Sequence, residues 1–299
     1  MKSKFVVKKD YHDTRFDRWF RHNVSDIPQS LIEKLIRKNK IKVNKKKTKT
    51  KYRVQSNDEI EIFNFDKIKN KNKSEIKKYK PSVKEKRNFG DFIIENNDNF
   101  IVINKPAGVP VQSGTKSFKN IIDIFKNTQY FYNSKPFIVH RLDKETSGVM
   151  IIAKNRQYAQ LFTSLFRIRK IHKVYVAVTH GSINKKLKIM KDDLILYDKK
   201  RKIIQKAISY IKVLKSNNKY SFVELKPITG RKHQLRKQLF NIGHPVVGDD
   251  KYSFKFNKNN KNLLLHAHTI KFMINNNKYN FKADYSDNLK NFITNNIKS

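Results

Sequence analysis

The sequence predicts an α+β protein of two domains joined by a basic linker. Residues 14–63 place apolar side chains at helical spacing and then end in short alternating runs. Residues 64–88 are dominated by Lys, Asn, Glu and Ser, a composition that cannot bury a core and predicts a flexible basic linker. From residue 89 onward strand-like runs alternate with polar turns, so residues 89–290 are expected to form the second, larger domain.

Two short amphipathic helices are expected to open the first domain. In the first helix, Phe16, Phe20 and Val24 fall on one face. In the second, apolar and basic side chains take opposite faces, with Leu31, Ile32, Leu35 and Ile36 inward and Lys34, Arg37, Lys38 and Lys40 outward.

Short strands are expected to complete this domain. The segment "IKVN" predicts one strand, and the segment "DEIEIF" predicts another. In the latter, Ile60 and Ile62 alternate with Glu59 and Glu61, which is typical of a strand with one buried and one solvated face.

The composition limits the classes of protein to which the chain can belong. The 299 residues include 67 Lys and Arg against 25 Asp and Glu, a formal net charge of +42, which favours a polyanionic partner such as nucleic acid. The absence of cysteine excludes disulfides, cysteine nucleophiles and thiolate-bound metals. Neither a leader peptide nor an apolar run of membrane-spanning length is seen, so a soluble, cytoplasmic protein is expected.

A charged, hydroxyl-rich segment between two apolar runs is the strongest candidate for chemistry. In "FIVHRLDKETSGVMIIAK" the flanking runs predict two buried strands, and Thr146, Ser147 and Gly148 predict a tight turn. Asp143 lies at the centre of the segment. Such a carboxylate serves as nucleophile, general acid/base or metal ligand, or forms a structural ion pair with Arg141. No second acidic or histidine cluster at ligand spacing accompanies it, so no metal site is expected.

Further motifs occur in a fixed order around this segment: "NKPAG", "KVYVA", "LKPITGRKHQLR" followed by "GHPVVGDDKY", and "LLLHA". Together with "HRLDKETSG" they closely resemble the RluA/RluC/RluD-type RNA pseudouridine synthases, over most of residues 90–285. The resemblance implies a long mixed, largely antiparallel sheet with a central cleft. It also implies isomerisation of uridine to pseudouridine in RNA, without a cofactor.

The resemblance also implies roles for individual residues. Asp143 matches the family's nucleophile, which attacks either carbon 6 of the base or the anomeric ribose carbon. Tyr175 matches the tyrosine that stacks on the target base and takes part in removing the carbon-5 proton, and Arg236 matches the ion-pair partner of the aspartate. Arg141 matches the residue that enters the RNA stack when the uridine is flipped out. Further RNA contacts or supports are expected from His140, Lys173, Arg231 and His233, while Lys105 is expected to be structural.

The N-terminal segments "FDRWF", "LIEKLIRKNKIKVN" and "NDEIEI" resemble the RNA-binding domain typified by ribosomal protein S-four. Within it Lys34, Arg37 and Lys38 are the expected RNA contacts. This family usually has glycine where Asn39 and Lys45 stand here, and Gly-Asp at 57–58. Asparagine tolerates a left-handed backbone better than lysine does, so Lys45 is the larger departure.

The sequence therefore predicts a monomeric RluC-like enzyme whose partner is RNA, with 23S ribosomal RNA as the expected substrate. One alternative is a non-catalytic RNA-binding or ribosome-assembly protein on the same fold. Another is a related synthase that acts on transfer RNA or small-subunit RNA. A third is a protein that binds anionic membranes through its basic linker.

Overall fold

The computed structural model describes residues 2–25, 27–64, 89–112, 119–126, 128–132, 134–198, 201–254 and 262–297. The chain divides into two compact units, residues 1–78 and residues 79–299. The predicted linker, 64–88, lies outside the described residues except for Asn64. The predicted domain limits, 14–63 and 89–290, stay predictions.

The N-terminal unit combines two helices with small antiparallel sheets. Its helices are α1 (Phe16–Asn23) and α2 (Gln29–Arg37), with a 3-10 turn at Lys9–Tyr11. Its strands are β1 (Lys2–Val6), β2 (Thr14–Arg15), β3 (Ile41–Val43), β4 (Lys46–Lys47), β5 (Arg53–Val54) and β6 (Glu59–Phe63). The strand order in the main sheet is β1-β6-β3-β4, and β2 pairs with β5.

The predicted helical faces of this unit are confirmed. Phe16 and Phe20 of α1 are fully buried, and Ile32 and Ile36 of α2 pack into the same cluster. Trp19 joins them, with its ring centroid 6.0 Å from that of Phe16. The basic side chains of α2 remain exposed, because the helix buries only its apolar stripe.

Strand β1 was not predicted, and it changes the environment of β6. It pairs antiparallel with β6 along all five of its residues. Glu61 was expected to face solvent, but its side chain is only 3% exposed and lies 2.7 Å from Lys2 Nζ. The alternating pattern of β6 therefore marks a strand between two neighbours, in which the buried acid is paired by a lysine of the added strand.

The positions where the related domains usually carry glycine adopt a left-handed backbone here. The φ angles are 52° at Asn39, 61° at Lys45 and 69° at Asn57. Asn44, with φ of 48°, precedes Lys45 in the tight connection between β3 and β4. Left-handed backbone costs a non-glycine residue roughly 1–2 kcal/mol, and asparagine bears this cost best. Lys45 thus keeps the turn geometry with an unfavourable residue.

In the C-terminal unit, helices pack on one large sheet. The helices are α3 (Ile121–Phe125), α4 (Arg156–Arg167), α5 (Gln234–Asn241) and α6 (Asp287–Asn296), with a 3-10 turn at Gln129–Phe131. The strands are β7 (Ile93–Asn96), β8 (Phe100–Lys105), β9 (Phe137–Ile138), β10 (Ser147–Ala153), β11 (His172–His180), β12 (Ile189–Asp198), β13 (Arg201–Ser216), β14 (Tyr220–Pro227), β15 (Leu265–Ile274) and β16 (Asn277–Lys282).

The sheet is mixed and largely antiparallel, as predicted. Its order among the described strands is β12-β13-β14-β11-β15-β10-β8-β7, with β16 beside β15 and β9 beside β10. Strands β10 and β15 run parallel, while the other described pairs are antiparallel. All seven residues of β10 are buried, so this strand is a rigid support for the segment that precedes it.

The segment "TSG" is not the tight turn that was expected, because Ser147 and Gly148 already belong to β10. Gly148 has a φ of 110°, and a Cβ there would collide with the backbone carbonyl of Ala267. Glycine is therefore required for the close approach of β10 to β15. Among the described residues, no helix is both long and apolar enough to cross a bilayer.

Candidate active site

A cleft of about 1150 Å³ opens in the C-terminal unit beside the start of β10. Its walls come from the segment 138–146 between β9 and β10, from β11, and from the segment 227–236 that leads into α5. Seven predicted site residues line it together: His140, Arg141, Asp143, Lys173, Tyr175, Arg231 and Arg236. His233 lines it as well, so the structure assembles all the site residues predicted in this unit.

Asp143 projects from the segment between β9 and β10 and is partly accessible, with 28% of its side chain exposed. The backbone turns at this point, since Thr146 donates its N–H to the Asp143 carbonyl at 3.2 Å. Strands β9 and β10 pair antiparallel. The buried strand expected after Asp143 is present as β10, whereas the strand expected before it is only the two half-buried residues of β9. The carboxylate therefore sits at the tip of a rigid hairpin and faces the cleft.

The side chain of Lys105 fixes the position of this hairpin. Its ammonium is buried and donates to the carbonyls of Pro106, Val109 and Lys144 at 2.8, 2.9 and 3.0 Å. Burial lowers the pKa of Lys105 to about 7, while Glu145 and Asp143 act in the opposite direction. The lysine of "NKPAG" thus ties the turn after β8 to the Asp143 segment, which agrees with its predicted structural role.

Arg236 lies between two carboxylates. Its Nη1 is 3.4 Å from Asp143 Oδ2, which agrees with the predicted ion pair. Its shorter bonds go to Asp249, from Nε and Nη2 at 2.7 Å each. Burial disfavours its charge, but the hydrogen bonds and charge of Asp249, with a smaller contribution from Asp143, raise the pKa of Arg236 above its ordinary value.

Asp249 is the main feature that the sequence did not reveal. Its side chain is fully buried, and it also accepts the backbone N–H groups of Lys251 and Tyr252 at 2.9 and 3.0 Å. A bidentate guanidinium–carboxylate pair fixes the plane of Arg236 and leaves Nη1 directed at Asp143. The signal was present in "GHPVVGDDKY", but the pattern does not show which of its two aspartates is buried.

His233 and Tyr252 form a second group of side chains beside the Asp143 carboxylate. His233 adopts a left-handed backbone with φ of 53° at the start of α5. Its Nδ1 is 2.9 Å from the Tyr252 hydroxyl, and its Nε2 is 3.7 Å from Asp143 Oδ1. Burial is the main cause of its lowered pKa. A neutral ring whose Nδ1 accepts the Tyr252 proton carries its own proton on Nε2, facing Asp143.

Tyr175 lines the cleft from β11, at a point where the pairing of β11 with β15 is interrupted. The register shifts between Val174 and Tyr175, and such a bulge redirects the side chain that follows it. Burial, and to a smaller extent the charge of Asp143, raises the pKa of Tyr175. The side chain therefore offers an apolar ring and a protonated hydroxyl.

Of the remaining predicted residues, His140 is partly buried and Arg141 is exposed. His140 stacks on Phe166 with ring centroids 4.6 Å apart, and its Nε2 accepts the N–H of Ile151 at 2.9 Å. Burial lowers the pKa of His140 to about 3, so it is neutral and fixes the hairpin. Arg141 beside it is exposed and faces the cleft. A contact of His140 with RNA remains a prediction.

Lys173 and Arg231 are the remaining predicted basic residues of the cleft. Burial lowers the pKa of Lys173. Arg231 donates from Nε to the carbonyl of Lys206 at 3.2 Å, which positions its guanidinium at the rim. Lys34 and Arg37 lie on the exposed face of α2 in the N-terminal unit, and Lys38, also exposed, follows the last residue of the helix. Within the described residues, no group of three or more His, Asp or Glu side chains is placed to hold a metal ion.

Gln234 is a second feature that sequence reasoning missed. It is 5% exposed and joins the loop before α5 to β13. Its Oε1 accepts from the Thr229 hydroxyl and the Arg231 N–H, and its Nε2 donates to Ser209 Oγ and the Ile208 carbonyl. A buried amide with this many bonds fixes the start of α5, the helix that carries Arg236.

Two histidines with lowered pKa values, His140 and His266, predict that acid destabilises the C-terminal unit. Burial lowers the pKa of His140 to about 3 and that of His266 to about 4, whereas both are about 6.5 when unfolded. Between these values the unfolded chain binds more protons, so the free energy of unfolding should fall as pH drops from about 6.5 towards 4. The expected loss is on the order of 3 kcal/mol per histidine at pH 4.

Urea unfolding followed by circular dichroism between pH 7 and pH 4 measures this effect. His266→Asn should flatten the pH profile, because burial of the His266 ring lowers its pKa and so contributes part of it. His172→Gln, a change at an exposed position in the same unit, should leave the profile unaltered. An equal slope in wild type and His266→Asn would contradict the assignment.

Two family models match the chain. The model described as RNA pseudouridylate synthase matches residues 99–241, and the S4 domain matches residues 27–60. The solved human RNA pseudouridylate synthase domain containing 4 covers 70% of this chain and 94% of its own, with a TM-score of 0.61 and 25% identity. The matched region contains the cleft residues from Asp143 to Arg236. The fold and the site thus define an RNA-modifying isomerase.

The chain belongs to the RNA pseudouridylate synthase family. It is 34% identical over 281 residues to ribosomal large subunit pseudouridine synthase C of Buchnera aphidicola subsp. Baizongia pistaciae, covering 89% of this chain and 88% of the relative. It is also 34% identical over 272 residues to the protein of the same name from Rickettsia felis, covering 86% and 88%. Both alignments span most of each protein, so the relationship is not confined to one unit.

Proposed function

We propose that this enzyme converts specific uridines of large-subunit (23S) ribosomal RNA to pseudouridine, with Asp143 as the nucleophile. The observation that carries the proposal is the accessible Asp143 carboxylate, held 3.4 Å from a buried arginine in a cleft large enough for a nucleotide. The large-subunit target is supported by the printed names of relatives that align along most of the chain. We further infer that the enzyme acts as a monomer in the cytoplasm.

The reaction is an isomerisation, so pseudouridine has the same atomic composition as uridine. An Asp143 oxygen attacks either carbon 6 of the base or the anomeric ribose carbon, and the bond from that ribose carbon to N1 breaks. The base turns within the cleft, carbon 5 bonds to the anomeric ribose carbon, and the bond to the Asp143 oxygen breaks, which returns the carboxylate. The carbon-5 proton then leaves and N1 gains a proton.

The surrounding side chains suit these steps. The Arg236 guanidinium lies 3.4 Å from Asp143 Oδ2 and would orient the carboxylate towards the base. Arg236 is also hydrogen-bonded to Asp249. Its guanidinium would therefore remain paired when the base approaches Asp143. The ring of Tyr175 would stack on the base, and its hydroxyl would take part in moving the carbon-5 proton. Exposed Arg141 would fill the space that the flipped uridine leaves in the RNA.

A direct test is release of tritium from RNA labelled at carbon 5 of uridine, because this hydrogen leaves when pseudouridine forms. Transcripts of 23S RNA, 16S RNA and transfer RNA would be compared at equal concentration. The proposal predicts release from the 23S transcript. Release from transfer RNA alone would favour the related synthase, and no release from any of them would favour the non-catalytic alternative.

The basic face of α2 is expected to contribute to RNA affinity. Replacing Lys34, Arg37 and Lys38 together with glutamine should raise KM for RNA by about tenfold and flatten its salt dependence, because up to three phosphate contacts are lost. The rate at saturating RNA should change little. Steady-state kinetics at several salt concentrations measures both effects.

The matched control removes the same charge elsewhere. Lys185, Lys186 and Lys188 are exposed in the C-terminal unit and lie outside the cleft lining among the described residues. Their triple replacement by glutamine should raise KM much less. Equal effects of the two triple variants would show that only total charge matters and would remove the specific role of α2.

A further inference from the structure

Four aromatic rings form a continuous series from the protein surface to the reactive carboxylate. Phe254 packs on Phe240 with ring centroids 4.7 Å apart and planes inclined by 30°. Phe240 is 6.5 Å from Tyr252, which in turn is 5.6 Å from His233. Because His233 Nε2 faces Asp143 at 3.7 Å, the series begins at the active site. Its outer end is Phe254.

Phe254 is exposed in a way that packing does not explain. Of its surface, 64% remains accessible among the described residues, although Phe240 covers one ring face. Phe240 itself is half-buried, so the outer ring adds little to the core. Other apolar side chains are exposed too, but Phe254 stands at the outer end of the ring series that begins at Asp143. A flat ring with one open face is the shape that stacks on an unpaired base.

The charges around this ring favour RNA as its partner. Lys232, Lys237 and Lys251 lie in the same segments as the four rings. Lys251 Nζ is 5.7 Å from the centroid of the Tyr252 ring. Lys232 and Lys251 also line the cleft, so the surface around the rings is continuous with the site of reaction. One exposed acid, Asp250, lies in the same segment, with its carboxylate 3.7 Å from Arg236 Nη2.

We propose that Phe254 is a stacking platform for an unpaired base of the RNA substrate, in a nucleotide that flanks the flipped uridine. Extrusion costs least where the target uridine is already single-stranded, and in such a loop a neighbouring nucleotide is also unpaired. Stacking tolerates any base, so Phe254 selects for an unpaired nucleotide rather than for a sequence. This inference rests on the proposed position of the target uridine at Asp143.

Phe254→Ala tests the platform in the full-length protein. The probe is the shortest synthetic stem-loop, built around a mapped uridine, that the wild-type enzyme modifies. KM should rise about 5- to 100-fold, the effect of losing one base–aromatic stack, while the rate at saturating RNA stays within about twofold. Phe254→Tyr should restore KM. Tyr132→Ala, at a position that is 89% exposed and lies outside the cleft lining, is the matched control and should leave KM unaltered.

Replacing the flanking bases identifies the partner. Stem-loops that carry an abasic ribose on either side of the target should raise KM for the wild type at one position, with no further effect in Phe254→Ala. Phe254→Trp adds a fluorescent reporter to a chain whose single tryptophan, Trp19, is 1% exposed in the other unit. The intact stem-loop should quench its fluorescence, and the abasic stem-loop should not.

Several results would overturn the platform: an unaltered KM in Phe254→Ala, additive effects of the variant and the abasic site, or equal quenching by both stem-loops. They are distinguishable from failure of the proposed function, which appears as retained turnover in Asp143→Asn. A fall in the saturating rate of Phe254→Ala, with an unaltered KM, would show that the ring supports the active site instead of binding RNA.

Discussion

Asp143→Asn is expected to abolish pseudouridine formation while leaving the fold and RNA affinity intact. The amide keeps the size of the carboxylate but lacks its charge and cannot act as the nucleophile. A loss of at least about 10⁴-fold in the saturating rate is expected, as for removal of a nucleophile in other enzymes. Single-turnover assays with carbon-5-tritiated RNA measure the rate, and filter binding measures the affinity.

The neighbouring acid provides the control for this variant. Glu145 lies on the same hairpin and pairs with Lys144 at the surface at 3.2 Å, with 41% of its side chain exposed. Glu145→Gln removes one negative charge from the cleft region and should retain most of the turnover. Residual activity of Asp143→Asn near the wild-type level, in protein free of deamidated product, would rule out Asp143 as the nucleophile.

Asp249→Ala is expected to give the largest loss of stability among single changes at the site. It leaves the Arg236 guanidinium, 7% exposed, without its bidentate partner, and two backbone N–H groups lose their acceptor. Breaking a buried ion pair on one side costs about 3–5 kcal/mol. Turnover should fall as well, because Arg236 is no longer held towards Asp143. Urea unfolding and single-turnover kinetics measure the two effects.

Asp250, the residue next to Asp249, tests whether burial of the carboxylate causes the expected loss of stability. Asp250 is also within 3.7 Å of Arg236 Nη2, but its side chain is 87% exposed. Asp250→Ala should therefore change the free energy of unfolding by no more than about 0.5 kcal/mol, as is usual for exposed pairs. If the two alanine variants were equally stable, the buried pair would not be the element that organises this side of the cleft.

The parts of the fold that the sequence predicts correctly are those dictated by local pattern. The apolar run after Asp143 gives the fully buried strand β10, and the apolar stripe of α2 gives Ile32 and Ile36. Each of these elements buries residues whose spacing is visible in a short window. The central motif also predicts which residues meet in the cleft, because its resemblance to a known family carries the tertiary arrangement.

The features that were missed depend on contacts between distant segments. Strand β1 is a short, mostly polar run, and only its pairing with β6 makes it a strand and buries Glu61. Asp249 and Asp250 are neighbouring aspartates of one motif, so the sequence does not distinguish them. Only tertiary packing buries Asp249. Lys45 keeps a left-handed backbone that its residue type disfavours, because the connection between β3 and β4 requires it.

Position-resolved mapping of pseudouridine in 23S ribosomal RNA tests the central proposal most directly. Cells that lack the gene would be compared with cells that carry the wild-type gene or the Asp143→Asn variant. The proposal predicts that defined 23S positions lose pseudouridine in the deletion strain, regain it with the wild type and stay unmodified with the variant. An unchanged 23S map in the deletion strain, or full restoration by Asp143→Asn, would contradict it.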